Sequence, residues 1–368
     1  SMNILCDREP LLQAVANVSR AVSSKSTLQA LEGVYLKASG NQLEMTGYDL
    51  ELGISTTVPA TVREGGEIIL NARLLLEMLR KLPSEQITLS SDDKLLTVIQ
   101  GGMTEYTILG TPAEDFPELP AIGESNSFQI SQSVLKSMIG QTLFAVATTD
   151  SKPVHTGSLF DLKDSVLTMV SVDGYRMALR KEKVSCSDDY SFIVPGKTLA
   201  EASKLLQEED SPMELYISRK HILMQIGPYR VISRLLEGEF LDYQAAIPQS
   251  STTTVRVNTR SLINSIERTS LLISDRLKSP LRVQFQEDAI KISCSTAIGK
   301  VNDQLPSAQT GPDVEMGFNN KYLLDALRAC ESDEAKLEIS GPLSPMKVVP
   351  LEGDSFLFLV LPVRLKAE

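Results

Sequence analysis

The segment Asn71-Ala72-Arg73-Leu74-Leu75-Leu76-Glu77-Met78-Leu79-Arg80-Lys81-Leu82 decides the fold, because the chain writes it three times. A second version, Pro195-Gly196-Lys197-Thr198-Leu199-Ala200-Glu201-Ala202-Ser203-Lys204-Leu205-Leu206, begins 124 residues later. A third, Asn319-Asn320-Lys321-Tyr322-Leu323-Leu324-Asp325-Ala326-Leu327-Arg328-Ala329-Cys330, begins 124 residues after that. Leu75, Leu199 and Leu323 fall in register, as do Leu82, Leu206 and Cys330, so each copy reads as a helix with one apolar stripe. About 60 residues before each copy lies another helical pattern leading into strand-like alternation. These patterns run from Leu11 to Gly47, from Val134 to Val170 and from Leu262 to Ser293. After each copy come strand runs such as Ile87-Thr88-Leu89, Glu214-Leu215-Tyr216-Ile217 and Lys336-Leu337-Glu338-Ile339. The reading is an α+β chain of three similar domains, each with two helices packed on antiparallel sheets. Boundaries at 1–124, 125–250 and 251–368 fall near Phe116-Pro117-Glu118-Leu119-Pro120 and Ala246-Ile247-Pro248.

Composition narrows the function classes. The chain has 368 residues, 42% hydrophobic and 23% charged, which excludes wholesale disorder. No apolar run reaches the roughly 18–20 residues of a membrane span, and no basic-then-apolar leader opens the sequence, so a cytoplasmic location is expected. Cys6, Cys186, Cys294 and Cys330 are far apart and form no metal or redox motif, which suits free thiols in a reducing compartment. The two histidines, His155 and His221, lack the neighbours of a nucleophilic triad, and no catalytic residue, metal or cofactor is expected.

Gly196-Lys197-Thr198 follows an apolar strand, Phe192-Ile193-Val194, and opens a helix, which is the setting of a phosphate-binding loop. The first glycine of such a loop is replaced by Ser191, and a strand stands where flexible backbone should wrap the anion. Gly299-Lys300 fails likewise, with Cys294 and Val301 at the required positions.

The charge is unevenly placed. Net charge is −11, which argues against simple coating of nucleic acid. Yet the helical segments 10–24, 71–82, 131–145, 196–207, 259–275 and 319–330 carry +1, +2, +1, +1, 0 and +1, leaving −17 on the other 285 residues. Arg73-Glu77-Arg80, Lys197-Glu201-Lys204 and Lys321-Asp325-Arg328 repeat one basic-acidic-basic face away from the apolar stripe. A shared helical surface facing a polyanion follows, reached by weak, salt-sensitive phosphate contacts. The contacts expected are Arg73, Arg80, Lys81, Lys136, Lys197, Lys204, Arg268, Lys321 and Arg328. Aromatic residues are only 5% and show no interleaving with the basic ones, so duplex is favoured over stacked single strands.

Two further signatures sit in this frame. Val172-Asp173-Gly174-Tyr175-Arg176-Met177-Ala178 resembles the Thr-Asp-Gly-His-Arg-Leu-Ala segment of the bacterial β sliding clamps. Leu359-Val360-Leu361-Pro362-Val363-Arg364-Leu365 resembles that family's Pro-Met-Arg-Leu ending, and the resemblance covers essentially the whole chain.

The resemblance implies a processivity factor with no catalysis of its own, a head-to-tail homodimer closed into a ring with helices lining the hole around duplex DNA. It implies a dimer junction of edge strands, for which Tyr106, Thr107, Ile108 and Leu109 are one candidate segment and Leu271, Leu272, Ile273 to Arg276 the other. It also implies a peptide pocket through which the replicative polymerase, clamp loader and repair factors dock. Its residues here are His155, Gly174, Tyr175, Arg176, Met177, Pro248, Asn319, Tyr322, Leu343, Pro345, Val360, Leu361, Pro362, Val363, Arg364 and Leu365. His155 stands where the family has an apolar residue, and Tyr175 where it commonly has His. Lys25 and Lys152 match basic positions near DNA. The alternatives are a nucleotide-binding hydrolase built on Gly196-Lys197-Thr198 and a monomeric adaptor that never encircles DNA.

Overall fold

Antiparallel pairing dominates the computed structural model, which describes residues 1–149 and 152–366; Ala367 and Glu368 of the third sequence repeat lie outside them. The helices are α1 (Arg8–Val18), α2 (Ala72–Lys81), α3 (Gln132–Thr142), α4 (Gly196–Leu205), the short α5 (Tyr243–Ala246), α6 (Thr259–Thr269) and α7 (Asn320–Ala329). Each repeat thus contributes two long helices, as the sequence pattern requires.

The repeated segments begin as helices because their first residues cap them. Asn71 Oδ1 accepts from the Leu74 amide at 3.0 Å, and Asn319 Oδ1 from the Lys321 and Tyr322 amides at 2.9 and 3.3 Å. The second copy differs: Pro195 ends the strand Tyr190–Pro195 and α4 starts at Gly196. A Cβ at Gly196 would stand 2.8 Å from the Thr156 carbonyl oxygen, so the glycine of Gly196-Lys197-Thr198 is there for close backbone approach. Thr198 is buried, which removes the hydroxyl that a phosphate loop would offer to magnesium.

Two helical spans are shorter than the periodicity predicts. The pattern over 10–24 is α1 from Arg8 to Val18 with a single 3₁₀ turn, Ser19–Ala21. The pattern over 259–275 stops at Thr269, whose hydroxyl donates to the Ser265 and Ile266 carbonyls at 2.8 and 3.1 Å. The Ile266 carbonyl still accepts the Ser270 amide at 2.9 Å, and beyond it the Leu271 amide turns to the Arg268 carbonyl at 3.4 Å, so the helix gives way to a tight turn there. On the observed bounds α1 to α7 carry 0, +2, +1, +1, 0, +1 and +1, and the helical excess of +6 survives.

The chain forms two compact units, Ser1–Ser133 with Ala200–Leu235, and Val134–Leu199 with Leu236–Glu368. In the first, strand Tyr229–Arg234 of the middle repeat pairs with Leu52–Pro59 of the first, Arg230 opposite Ser55 and Ser233 opposite Leu52. In the second, Arg176–Lys183 of the middle repeat pairs with Phe356–Val360 of the third, Arg176 opposite Val360 and Arg180 opposite Phe356. The middle repeat is therefore shared, half in each unit.

Two of the sheet-terminal strands bear on the expected junction. Thr104–Leu109 closes one side of the five-stranded sheet in the first unit, and Gly299–Pro306 one side of the four-stranded sheet in the second. The first contains the expected segment Tyr106, Thr107, Ile108 and Leu109. The second corrects the other expectation: Leu271, Leu272, Ile273 and Arg276 lie outside any strand after α6, and a terminal strand of that sheet is Gly299–Pro306. The chain leaves α6 through that tight turn and stays out of strand until it reaches Leu281–Phe285.

The core of the second unit centres on Phe285, Phe318 and Phe358, with α6 and α7 laid over it. Phe358 stacks on Phe356 at 5.1 Å and meets Phe144 edge-on at 5.8 Å. Phe358→Ala should cost about 3–5 kcal/mol, read as a lower urea midpoint for the second unit than for the unaltered chain.

Candidate functional site

Three adjacent strand ends in the second unit bring the signatures together. Met346 opens its strand opposite Val360, and Val360 closes its own strand opposite Arg176. The loop carrying Leu343 and Pro345, the C-terminal segment and Gly174-Tyr175 therefore meet at one end of the sheet.

Arg176 anchors this corner. Its guanidinium donates to Asp173 Oδ2 at 3.0 Å, to Asp325 Oδ2 at 2.6 Å and to the Phe144 carbonyl at 2.9 Å. It also lies 4.6 Å from the Tyr322 ring centroid, a cation–π contact. Asp173 Oδ1 accepts from the Tyr175 and Arg176 amides at 3.0 and 3.2 Å, and Gly174 between them takes φ +89°. That tight turn needs a glycine and presents Tyr175, 60% exposed, stacked on Tyr322 at 5.7 Å.

The C-terminal segment is tied on both sides. The Leu361 amide donates to the Tyr175 carbonyl at 3.1 Å and the Val363 amide to the Gly317 carbonyl at 2.8 Å. Pro362 lies between them, and Arg364 is exposed beyond. A Cβ at Gly317 would sit 2.6 Å from the Val363 oxygen and 2.7 Å from Leu365, so only glycine lets the segment cross. Exposed Leu343, Leu361 and Val363 give this end an apolar surface.

Met177 points the other way from Arg176, into a cluster with Val172, Leu179, Tyr243 and Leu359. Val154, Phe240 and Ile247 pack against that cluster while partly exposed. Sequence reasoning missed these residues and Asp173, Asp325 and Phe144. The signal for Tyr243 and Ile247 was their closeness in the chain to Pro248, whose carbonyl accepts from the Lys347 ammonium at 2.8 Å. Tyr243 is held by its hydroxyl, which donates to Asp161 Oδ2 at 2.7 Å.

His155 is 9% exposed and meets Phe240 edge-on at 5.0 Å, with Nε2 lacking a hydrogen-bond partner. Burial, then the Lys152 charge, push its pKa below the ordinary 6.5.

The structure splits the expected DNA-facing set. Lys25, Arg73, Arg80, Lys81, Lys152, Lys197, Lys204, Arg268, Lys321 and Arg328 are exposed, and Lys136 is half-buried. Several have acidic neighbours: Arg73 with Glu77 at 3.7 Å, Lys204 with Glu201 at 3.4 Å, Arg268 with Asp303 at 2.7 Å and Arg328 with Glu267 at 3.4 Å. Exposed pairs of this kind contribute roughly 0–1 kcal/mol and exchange readily for another anion.

The sequence matches the description "DNA polymerase III beta subunit" by its N-terminal domain over residues 2–120, its central domain over 129–242 and its C-terminal domain over 244–364. The chain belongs to this family, the beta sliding clamps. It is 32% identical to the beta sliding clamp of Bacillus subtilis, over 99% of this chain and 100% of that one. The crystal structure of the DNA polymerase sliding clamp from Bacillus subtilis superposes with a TM-score of 0.96 at 31% identity, covering 99% and 100% of the two chains. The Pseudomonas aeruginosa sliding clamp bound to griselimycin does so with a TM-score of 0.93 at 28% identity, covering 99% and 100%. The fold is the three-domain clamp fold, and the chain is a non-catalytic processivity clamp of DNA replication. The hydrolase and adaptor alternatives gain no support from these matches. Among the described residues no helix is long and apolar enough to cross a membrane.

Burial depresses the imidazole's pKa, so the folded chain binds that proton less readily than the unfolded chain, which takes it up as pH falls through about 6.5. Stability should therefore drop between about pH 7.5 and about pH 5.5 by more in the unaltered protein than in His155→Leu, measured as melting temperature at each pH.

Proposed function

We propose that two copies close head to tail into a ring around duplex DNA, with the repeats bounded near residues 124 and 250. The twelve long helices of the two copies would face the hole and the sheets would face outward. The observation that carries this reading is the charge segregation, +6 on helices within a chain of −11. Such a lining attracts phosphates without fixing them, and the acidic remainder discourages DNA from adhering outside. Encirclement makes tight contact unnecessary, because a closed ring leaves DNA only over an end.

The junction we propose joins Thr104–Leu109 of one copy to Gly299–Pro306 of the other. Each is a sheet-terminal strand, and exposed main chain of this length is normally covered. Leu109 at 70% exposure, Leu271 at 82% and Ile298 at 67% lie on or beside these edges and supply apolar surface to bury. Leu271 to Ile273 thus keep a place at the junction as side chains instead of as a paired strand. An isologous pair of such junctions closes with twofold symmetry. Leu109→Asp combined with Leu271→Asp should convert the dimer to monomer in sedimentation at micromolar concentration; an unchanged dimer would place the junction elsewhere.

The partner site we propose is the corner built on Arg176. Tyr175, Tyr322, Leu361 and Val363 form one apolar patch, and Met177, Val154, Phe240 and His155 another, suited to two apolar anchors of a short peptide. Asn319 and Gly174 act by holding Tyr322 and Tyr175 in place. Polymerase, loader and repair factors would compete for it.

Encirclement has its own test. Protein loaded by a clamp loader onto nicked circular DNA should remain through gel filtration and leave once the circle is cut. Retention on linear DNA with free ends would contradict a topological attachment.

A further inference from the structure

The face of the sheet that carries Met177 and Leu179 also holds a trough that none of the docking residues above occupies. Leu179 and Leu357 are paired neighbours, and Val349 stands opposite Lys336 on the next strands of the same sheet. The turn containing Pro350, Leu351 and Asp354 closes one side and Ile247 the other, enclosing about 350 Å³. The floor is apolar. The rim carries charges in opposite pairs, Lys181 with Asp354 at 3.4 Å and Lys336 with Glu338 at 3.8 Å.

Ile247 and Leu357 belong to both places. They line the trough and also pack against the cluster of Met177, Tyr243 and Leu359 that floors one apolar patch of the partner site. The Lys347 ammonium holds the Pro248 carbonyl at 2.8 Å and so fixes the segment that separates the two. The trough and the partner site are neighbours on one rigid sheet, divided by one isoleucine.

We propose that this trough is a second docking subsite, taking an apolar side chain from the stretch of a partner that flanks the docked peptide. The inference rests on the partner site proposed above. Three observations select this occupant. The volume lies at the small end of ligand pockets, enough for one large side chain and its backbone. Each rim ammonium is held by a carboxylate, Glu338 taking both Lys336 and Lys347 at 3.8 and 3.5 Å, which weakens any pull on a polyanion. The shared Ile247 makes the trough continuous with the partner site, so a flank reaches it without leaving the surface. Once the core peptide is bound, the flank binds at high effective concentration, and even a weak contact multiplies affinity.

Fluorescence anisotropy on the full-length protein tests this with defined probes. The first is a labelled hexapeptide whose Leu and Phe anchors are separated by one residue. Two others extend it by eight Gly and Ser residues containing a single Phe, one at the N-terminal side and one at the C-terminal side. One extended probe should bind about tenfold tighter than the hexapeptide. Leu351→Asp, an exposed position in the turn over the trough, should erase that gain and leave the hexapeptide's Kd unchanged. Val349→Asp should do the same from the floor. Equal affinity of all three probes, or a gain that survives both substitutions, overturns the subsite while leaving the partner site intact. Failure of the hexapeptide itself to bind the unaltered protein overturns the partner site and the subsite together.

Discussion

The antiparallel pairing of Arg176–Arg180 with Phe356–Val360 carries more of this structure than any other contact. A strand of the middle repeat would otherwise expose a row of amide and carbonyl groups, and the last strand of the third repeat covers it. The same register sets Val360 beside Arg176, delivers the C-terminal segment to Tyr175 and faces Met177 and Leu359 in one direction. Residues nearly 200 positions apart become one corner through a single ladder of main-chain hydrogen bonds. Pairing of Arg230–Ser233 with Leu52–Ser55 joins the first and middle repeats by the same device.

The acidic residue of the repeated helix shows how one sequence position can serve different ends. Glu77 pairs within its helix, with Arg73 at 3.7 Å. Glu201 takes Lys204 at 3.4 Å and also Arg20 at 3.8 Å. Asp325 instead reaches Arg176 at 2.6 Å, where both side chains are partly shielded and the charge-assisted bond is strong. Lys321 and Arg328 pair instead with acids outside their own helix, Asp275 at 3.9 Å and Glu267 at 3.4 Å. The third repeat therefore uses its acid to brace the turn that carries Arg176.

Much of this was legible in the chain, for physical reasons. Helix spacing and apolar stripes are local and repeated, so Leu75, Leu199 and Leu323 announced three copies, and Asn71 and Asn319 their starts. The charge excess on helices is a property of composition by segment, and it survived small errors in the bounds. Hidden were the features set by contacts across the chain. The end of α6 is set by the turn in which the Leu271 amide meets the Arg268 carbonyl, so Leu271–Arg276 read as a strand edge that belongs to Gly299–Pro306. The role of Asp325 depends on Arg176, 149 positions away. Tyr243 and Ile247 looked like linker, since nothing in their own neighbourhood shows the cluster beneath them.

Consider how the C-terminal segment is fastened. Its amides at Leu361 and Val363 both point inward, to Tyr175 and Gly317. The residue between them is Pro362, which has no amide hydrogen to present outward. The outer side of this segment therefore lacks one of the donors that strand addition uses. If the partner site proposed above lies here, a peptide gains no main-chain donor from Pro362 and is read mainly by its side chains. Under that proposal the surface would accept partners of different backbone shape while offering stray β-strands a poorer edge.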